Sequence, residues 1–314
     1  MAIDLSQKRI LLTGGSGFLG TYVLEELLSR GVPDGSIFTP GRRELDLRKW
    51  ESCVKAVRHA DIVIHLAAKV GGIGFNLKYP GELFYDNAVM GIQLMEAARQ
   101  AGAEKFVCVG TVCSYPRETP VPFGEDDLWN GYPEETNAPY GIAKKALLVQ
   151  AQSYRKQYGF NAVYLMPVNL YGPGDHFSAE DAHVIPALIL KFFDAKLKGL
   201  PEVTAWGTGS ASREFLFVRD AARGIVDAAE RYDKGEPVNL GSGNEIGIRE
   251  LAGMIKEMTG YEGRIVWDTS RPDGQPERRL DVSRAKTEFG FKATTTFEEG
   301  LAATVTWYRE TMLG

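Results

Sequence analysis

Short, wholly apolar runs alternate along the chain with longer stretches in which apolar residues recur every three or four positions. Ile10-Leu11-Leu12, Ile37-Phe38, Ile62-Val63-Ile64, Phe106-Val107-Cys108-Val109 and Ala162-Val163-Tyr164-Leu165 are the runs, and Leu19 to Leu28 and Val89 to Ala98 have helical spacing. Continuous apolar strands separated by amphipathic helices predict a parallel sheet covered on both faces. The fold class is therefore α/β, doubly wound, with ligands expected at the carboxyl ends of the strands.

After Asn169-Leu170-Tyr171-Gly172-Pro173 the rhythm changes. Gly and Pro punctuate the next stretch, followed by a helix over Ile185 to Ala195, short strands near Val203 and Phe215, and a helix over Asp220 to Glu230. Pro237 to Gly241 reads as one more strand ending on glycines, and Ile265-Val266-Trp267 as another strand among the remaining helices. The pattern divides the chain into residues 1–171, joined by returning segments over about 214–243, and a smaller α/β lobe over 172–314 that is expected to bind substrate.

Composition adds little to that division but narrows the partners. The 314 residues carry 36 basic and 41 acidic side chains, a net charge of −5, with no run of like charge, so neither a nucleic acid nor an anionic membrane is the expected partner. Cys53, Cys108 and Cys113 are odd in number, without paired spacing or nearby histidines, so no disulfide framework and no metal site is expected. Met1 to Arg9 is polar, and no apolar stretch approaches the ~18 residues that span a bilayer. A cytoplasmic protein is the expectation.

The chemistry begins at Gly14-Gly15-Ser16-Gly17-Phe18-Leu19-Gly20, between the first strand and the first helix. A dinucleotide pyrophosphate must approach backbone N–H groups at a helix N-terminus, where a Cβ would block it. This is the Rossmann arrangement, with all seven residues as cofactor contacts. NAD-specific folds usually carry an acid at the end of the second strand. Asp34 precedes that strand, whereas Pro40-Gly41-Arg42-Arg43 follows it, and guanidinium groups there suit the 2′-phosphate of NADP. Asp46, just beyond, is placed either to reach the adenine or to cap the next helix.

Tyr140 and Lys144 lie four residues apart in Asn137-Ala138-Pro139-Tyr140-Gly141-Ile142-Ala143-Lys144, hence on one helix face. Ketone reduction needs a proton for the developing alkoxide, and a neighbouring ammonium is expected to lower the phenol from its usual ~10.

At this point the sequence resembles the extended short-chain dehydrogenase/reductase superfamily, carried by the Thr13–Gly20 cradle, His65-Leu66-Ala67-Ala68, Asn87, Tyr140/Lys144 and Asn169-Leu170-Tyr171-Gly172-Pro173. The resemblance implies that Tyr140 is the general acid/base, that Lys144 grips the nicotinamide ribose, and that Thr111 hydrogen-bonds the reacting oxygen. Threonine stands where many members have serine, and it keeps the donor. The implied cofactor wall includes Leu66, Ala67, Ala68, Pro167, Asn169, Leu170 and His183.

Less common segments resemble the GDP-L-fucose synthase family along nearly the whole chain: Lys69-Val70-Gly71-Gly72-Ile73, Cys113-Ser114-Tyr115-Pro116, His183-Val184-Ile185-Pro186-Ala187-Leu188, Trp206-Gly207-Thr208-Gly209, Arg213-Glu214-Phe215 and Pro272-Asp273-Gly274-Gln275-Pro276. That family inverts two carbons beside the ketone of GDP-4-keto-6-deoxy-mannose and then reduces the ketone with NADPH. The resemblance implies that Cys113 and His183 are the inverting acid/base pair, with His176 a rival in sequence for His183. Alone, Cys113 would read as a small buried apolar residue and His183 as a capping or surface histidine.

Arg213 and either Arg278 or Arg279 can hold a diphosphate bidentately. Trp206 packs on the guanine or sugar face, or is buried structurally. Asn169, Asp273 and Lys191 complete the implied substrate contacts, although Lys191 stands where the family often has arginine. A GDP-sugar substrate and a homodimer through the helices around Val89 to Gln100 and Tyr140 to Tyr158 follow from the same resemblance. Alternatives remain open: an NAD(P)-dependent epimerase, dehydratase or reductase of another nucleotide sugar such as a GDP-heptose, or a non-catalytic NADP sensor, a class that typically lacks the Tyr/Lys pair.

Overall fold

The computed structural model describes residues 2–178, 182–271, 273 and 275–314, with the backbone alone at Ile73. Pro272 and Gly274 of the motif around Asp273 lie outside the described residues. The five apolar runs form strands β1 (Ile10–Thr13), β2 (Ile37–Phe38), β3 (Ile62–His65), β4 (Lys105–Val109) and β5 (Ala162–Pro167). All but β2 are buried at every position, as strands covered on both faces must be.

The intervening helices are α1 (Phe18–Ser29), α2 (Trp50–Val57), α3 (Ile73–Lys78), α4 (Pro80–Gln100) and α5 (Ala138–Tyr158). Proline sits in the first turn of both α4 and α5, where its missing N–H costs nothing. Then follow β6 (Asn169–Tyr171), α6 (Val184–Leu197), β7 (Glu202–Trp206), β8 (Ser212–Phe217), α7 (Val218–Arg231), β9 (Val238–Leu240), β10 (Glu245–Gly247), α8 (Ile248–Thr259), β11 (Arg264–Asp268), α9 (Ser283–Phe289) and α10 (Phe297–Tyr308).

The main sheet is parallel throughout, in the order β2-β1-β3-β4-β5-β9. The chain runs out from β1 to β2 and returns across β1 to β3, so the order reverses there and leaves a crevice outside the carboxyl ends of β1 and β3. The fold is thus the doubly wound α/β arrangement. Strand β9 returns from late in the chain to extend the sheet beyond β5.

Two small sheets flank it, β10-β8-β6 and β11-β7. Around them a second apolar core forms from Ile185, Ile189 and Phe192 of α6, Leu251 and Ile255 of α8, and Leu301 of α10. Among the described residues no helix is long and apolar enough to cross a membrane. Helix α3 follows directly on Gly72, its N-cap.

Candidate active site

The glycine cradle sits where β1 meets α1. Gly14 has φ of 73°, and a Cβ there would lie 2.9 Å from Ala67 N, so the strand-end motif His65-Leu66-Ala67-Ala68 closes against it. A Cβ on Gly20 would lie 2.0 Å from Gly14 O, which forces α1 onto the turn. Gly17 is the N-cap of α1, no side chain caps it, and the first turn holds no acid. The amides of that turn are left to an anion, as a pyrophosphate requires.

Beneath the cradle, Thr13 Oγ1 pairs with His65 Nδ1 at 2.8 Å and accepts from Ala67 N at 3.2 Å. Burial, helped by the nearby Lys144, pulls His65 down to about 3, so it is a neutral prop of the strand ends. Asn87, buried, clamps the backbone of Lys69 from both sides, with Oδ1 accepting from Lys69 N and Nδ2 donating to Lys69 O, each at 2.9 Å.

Arg42 is exposed in the loop after β2, and its charge reaches Asp46. Asp46 itself does not cap α2, whose N-cap is Lys49. Its carboxylate is chelated by Arg48, at 2.9 and 3.2 Å from Nε and 2.7 Å from Nη2, and those hydrogen bonds hold it down to about 2. The capping alternative is corrected: a local guanidinium outcompetes the helix end.

Thr111, Cys113, Tyr140 and Lys144 converge at the carboxyl end of β4. Thr111 caps a turn over Val112–Ser114, its Oγ1 accepting from Cys113 N at 3.2 Å. Helix α5 lies so close to this turn that a Cβ on Gly141 would stand 2.4 Å from Cys113 O, and Ser114 Oγ donates to Gly141 O at 3.0 Å. Tyr140 is thereby fixed beside the half-buried Cys113. Lys144, one turn on, donates to Val109 O at 3.0 Å and is 2% exposed.

Burial lowers the Lys144 ammonium and pushes the Tyr140 phenol up, with Cys113 and Cys108 adding to the rise. The expectation that Lys144 would lower Tyr140 is therefore corrected. In the protein alone, desolvation sets the direction, and the ammonium is turned towards a strand carbonyl. A phenol kept protonated is a proton donor, the form that ketone reduction uses.

The second lobe supplies cations. Arg278, 9% exposed, extends towards Cys113, with Nη1 4.0 Å from Sγ, while Nε and Nη2 donate to Gln275 Oε1 at 3.1 and 2.9 Å. Arg213 donates to the carbonyls of Ser212 and Asp273, at 2.6 and 3.0 Å. Burial and the adjacent charge of Arg278 pull Arg213 down to about 10. Of the two candidates, Arg278 rather than Arg279 is the one that reaches the cluster.

Glu214, fully buried, organises this region. Its carboxylate accepts from Gly243 N at 2.7 Å and Leu280 N at 2.6 Å, its backbone N–H donates to Arg278 O at 3.0 Å, and its carbonyl accepts from Asn169 Nδ2 at 3.2 Å. Burial raises this carboxyl despite the amide donors. Glu214 and Gln275 were legible only as members of motifs, because their partners are distant in sequence.

Trp206 is 55% exposed, which removes the buried structural alternative. Lys191 Nζ and the Arg271 guanidinium lie 5.6 and 5.0 Å from its ring centre, and Lys191 also donates to Thr204 O at 3.0 Å. Asp273 accepts from Thr208 N at 2.7 Å and Thr208 Oγ1 at 2.8 Å, so it staples the Trp206-Gly207-Thr208 turn. Pro167 ends β5, and Leu170 lies in β6. His183 is the exposed N-cap of α6. Among the described residues, the hydrogen bonds of Cys113 go to Thr111 and Arg278, and none reaches His183.

The model of the NAD dependent epimerase/dehydratase family matches residues 10–241. The chain is 40% identical to a probable GDP-L-fucose synthase 1 of Oryza sativa subsp. japonica, over 97% of this chain and 93% of that one. Among solved structures it resembles a GDP-6-OMe-4-keto-L-xylo-heptose reductase from C. jejuni, with TM-score 0.91 and 26% identity over 99% of each chain. A GDP-L-fucose synthetase from Naegleria fowleri bound to NADP superposes with TM-score 0.86 and 28% identity, over 97% of this chain and 94% of that one.

The contact at Gly141 yields a prediction about stability. Alanine is the better helix former, yet its methyl must displace the Cys113 carbonyl, so Gly141→Ala is expected to destabilise the protein by about 1–3 kcal/mol in urea unfolding. A stability equal to or above that of the wild type would contradict the packing described.

Proposed function

The chain belongs to the NAD dependent epimerase/dehydratase family, and from that premise we propose that it converts GDP-4-keto-6-deoxy-D-mannose to GDP-L-fucose, an NADPH-dependent epimerase and reductase working at one site. The observation that carries this reading is the close approach of Gly141 to the Cys113 carbonyl, which brings the helix turn bearing Tyr140, a proton donor for reduction, against the turn bearing Cys113, a thiol able to invert a carbon.

NADP fits the residues present. The cradle leaves amides for the pyrophosphate, and Arg42, exposed in the loop after β2, offers a guanidinium for a 2′-phosphate. When bound, NADPH supplies the hydride that reduces the ketone. Lys144, anchored on Val109 O, orients the ribose; Thr111 donates to the ketone oxygen; Tyr140 delivers its proton to that oxygen as the alkoxide forms.

Inversion precedes reduction in this reading, because the proton beside a ketone is acidified by the carbonyl and loses that activation once the alcohol forms. Cys113 and His183 take the proton from one face and return it to the other. Arg213 binds the diphosphate, and exposed Trp206, between Lys191 and Arg271, is a platform for the guanine. Asp273 keeps that platform in place through Thr208, and Asn169 ties the substrate wall to β8. A GDP-heptose is the second substrate class, favoured by the likeness to the C. jejuni reductase. A cytoplasmic homodimer is part of the proposal: the three free cysteines suit a reducing compartment, and exposed Phe84, Tyr85 and Ile92 of α4 with Val149 and Tyr158 of α5 offer an apolar face for a second copy.

Three outcomes are expected. Arg42→Ala weakens NADPH binding by ~10–100-fold and leaves NADH nearly unchanged, the range for a charge-assisted contact; a wild type that prefers NADH in kcat/KM would overturn the cofactor assignment. Tyr140→Phe lowers ketone reduction by about 10²-fold or more while NADPH still binds and deuterium still enters the substrate in D₂O. In that same assay Cys113→Ala and His183→Ala suppress deuterium entry by about 10²–10⁴-fold. Undiminished uptake in both would remove them from the inversion.

A further inference from the structure

We infer that Arg278 is a catalytic residue of the inversion: its guanidinium is the counter-charge of the Cys113 thiolate and of the negative charge that leaves it, beyond any contact with the substrate diphosphate. This rests on Cys113 being the inverting group.

Three observations carry it. Arg278 Nη1 lies 4.0 Å from Cys113 Sγ, and the guanidinium is held at that angle because Nε and Nη2 both donate to Gln275 Oε1. Gln275 is in turn fixed by donating Nε2 to Arg117 O at 2.6 Å, and the Arg278 backbone is fixed by Glu214 N–H at 3.0 Å. The fork is therefore aimed from two directions, not draped.

Second, Arg278 is 9% exposed and its side chain bonds an amide oxygen and a thiol; among the described residues no carboxylate lies within ion-pair distance of it. A cation removed from water without a counter-ion is costly, so the site is built for an anion. Third, Arg213 beside it also spends its hydrogen bonds on carbonyls, those of Ser212 and Asp273. Two guanidiniums share this wall, enough charge for a diphosphate at Arg213 and a second anion at Arg278. Among the described residues, Cys113 Sγ is the atom able to become an anion that the Arg278 guanidinium bonds.

The step balances. The Cys113 thiolate forms an S–H bond with the proton on the carbon beside the ketone. The C–H pair moves into the carbon–carbon bond, and the carbonyl π pair moves onto oxygen as an enolate. His183, starting protonated, then returns a proton to the opposite face and the carbonyl re-forms; Cys113 gives up its proton to the medium and His183 regains one from it. Negative charge thus travels from sulfur to oxygen, and a guanidinium fixed beside the sulfur stabilises it without reorganising.

The experiment uses the full chain with Arg278→Met, Arg278→Lys and Gln275→Leu, read in two ways. Cys53 and Cys108 are buried, so iodoacetamide labelling of the native protein, quantified on the peptide bearing Cys113, reports that thiol alone. Deuterium uptake from D₂O at saturating GDP-4-keto-6-deoxy-mannose reports inversion. Arg278→Met is expected to slow Cys113 labelling about tenfold and uptake about 10²-fold. Arg278→Lys, which keeps the charge and tests for mere misfolding, recovers most of both, and Gln275→Leu falls between. Unchanged labelling in Arg278→Met, with the loss confined to KM for the GDP-sugar, would overturn the inference and leave Arg278 a diphosphate ligand. Undiminished uptake in Cys113→Ala would instead sink the underlying reading of Cys113, a failure the labelling ratio keeps separate.

Discussion

The site depends on one close approach, that of helix α5 to the turn after β4. At Gly141 there is no room for a methyl group, and the Ser114 hydroxyl bonds the Gly141 carbonyl across the same seam. The same seam brings the turn of α5 that carries Tyr140 against the turn that carries Cys113. Lys144 anchors the next turn of α5 to the last carbonyl of β4. A shift of α5 along the sheet would break both contacts and separate Tyr140 from Cys113.

Charge is arranged around that seam by opposite means on its two sides. The sheet side is kept neutral: His65 is pulled down to about 3, and the Tyr140 phenol is pushed up, both chiefly by burial. The lobe side holds cations, Arg213 and Arg278, on neutral partners. Buried Glu214 ties β8 to the segment bearing Arg278 and to the glycines after β9. Such a carboxylate, satisfied by backbone amides, fixes geometry without neutralising the guanidiniums beside it.

Much of this was legible in the sequence, and the reasons are local. Strands β1, β3, β4 and β5 are continuous apolar runs because both their faces are covered, and the cradle announces itself because only glycine tolerates the contacts at Gly14 and Gly20. What escaped depends on partners far along the chain. The direction of the Tyr140 shift follows from how deeply α5 is packed, which a four-residue spacing does not reveal. Asp46 was open between adenine and helix cap, and its neighbour Arg48 takes it. Arg278 meets Cys113 across 165 residues, so a guanidinium that reads as a phosphate ligand in isolation acquires a second neighbour only in the fold.

The central claim is that inversion and reduction are successive acts of one site on one bound sugar, with protons from solvent and the hydride from NADPH. It is tested most directly by running wild-type turnover with protio-NADPH in D₂O and locating deuterium in the product by NMR. The account predicts GDP-L-fucose carrying deuterium on both inverted carbons, C3 and C5, and protium at C4. Protium retained at C3 and C5, or deuterium at C4, would contradict it.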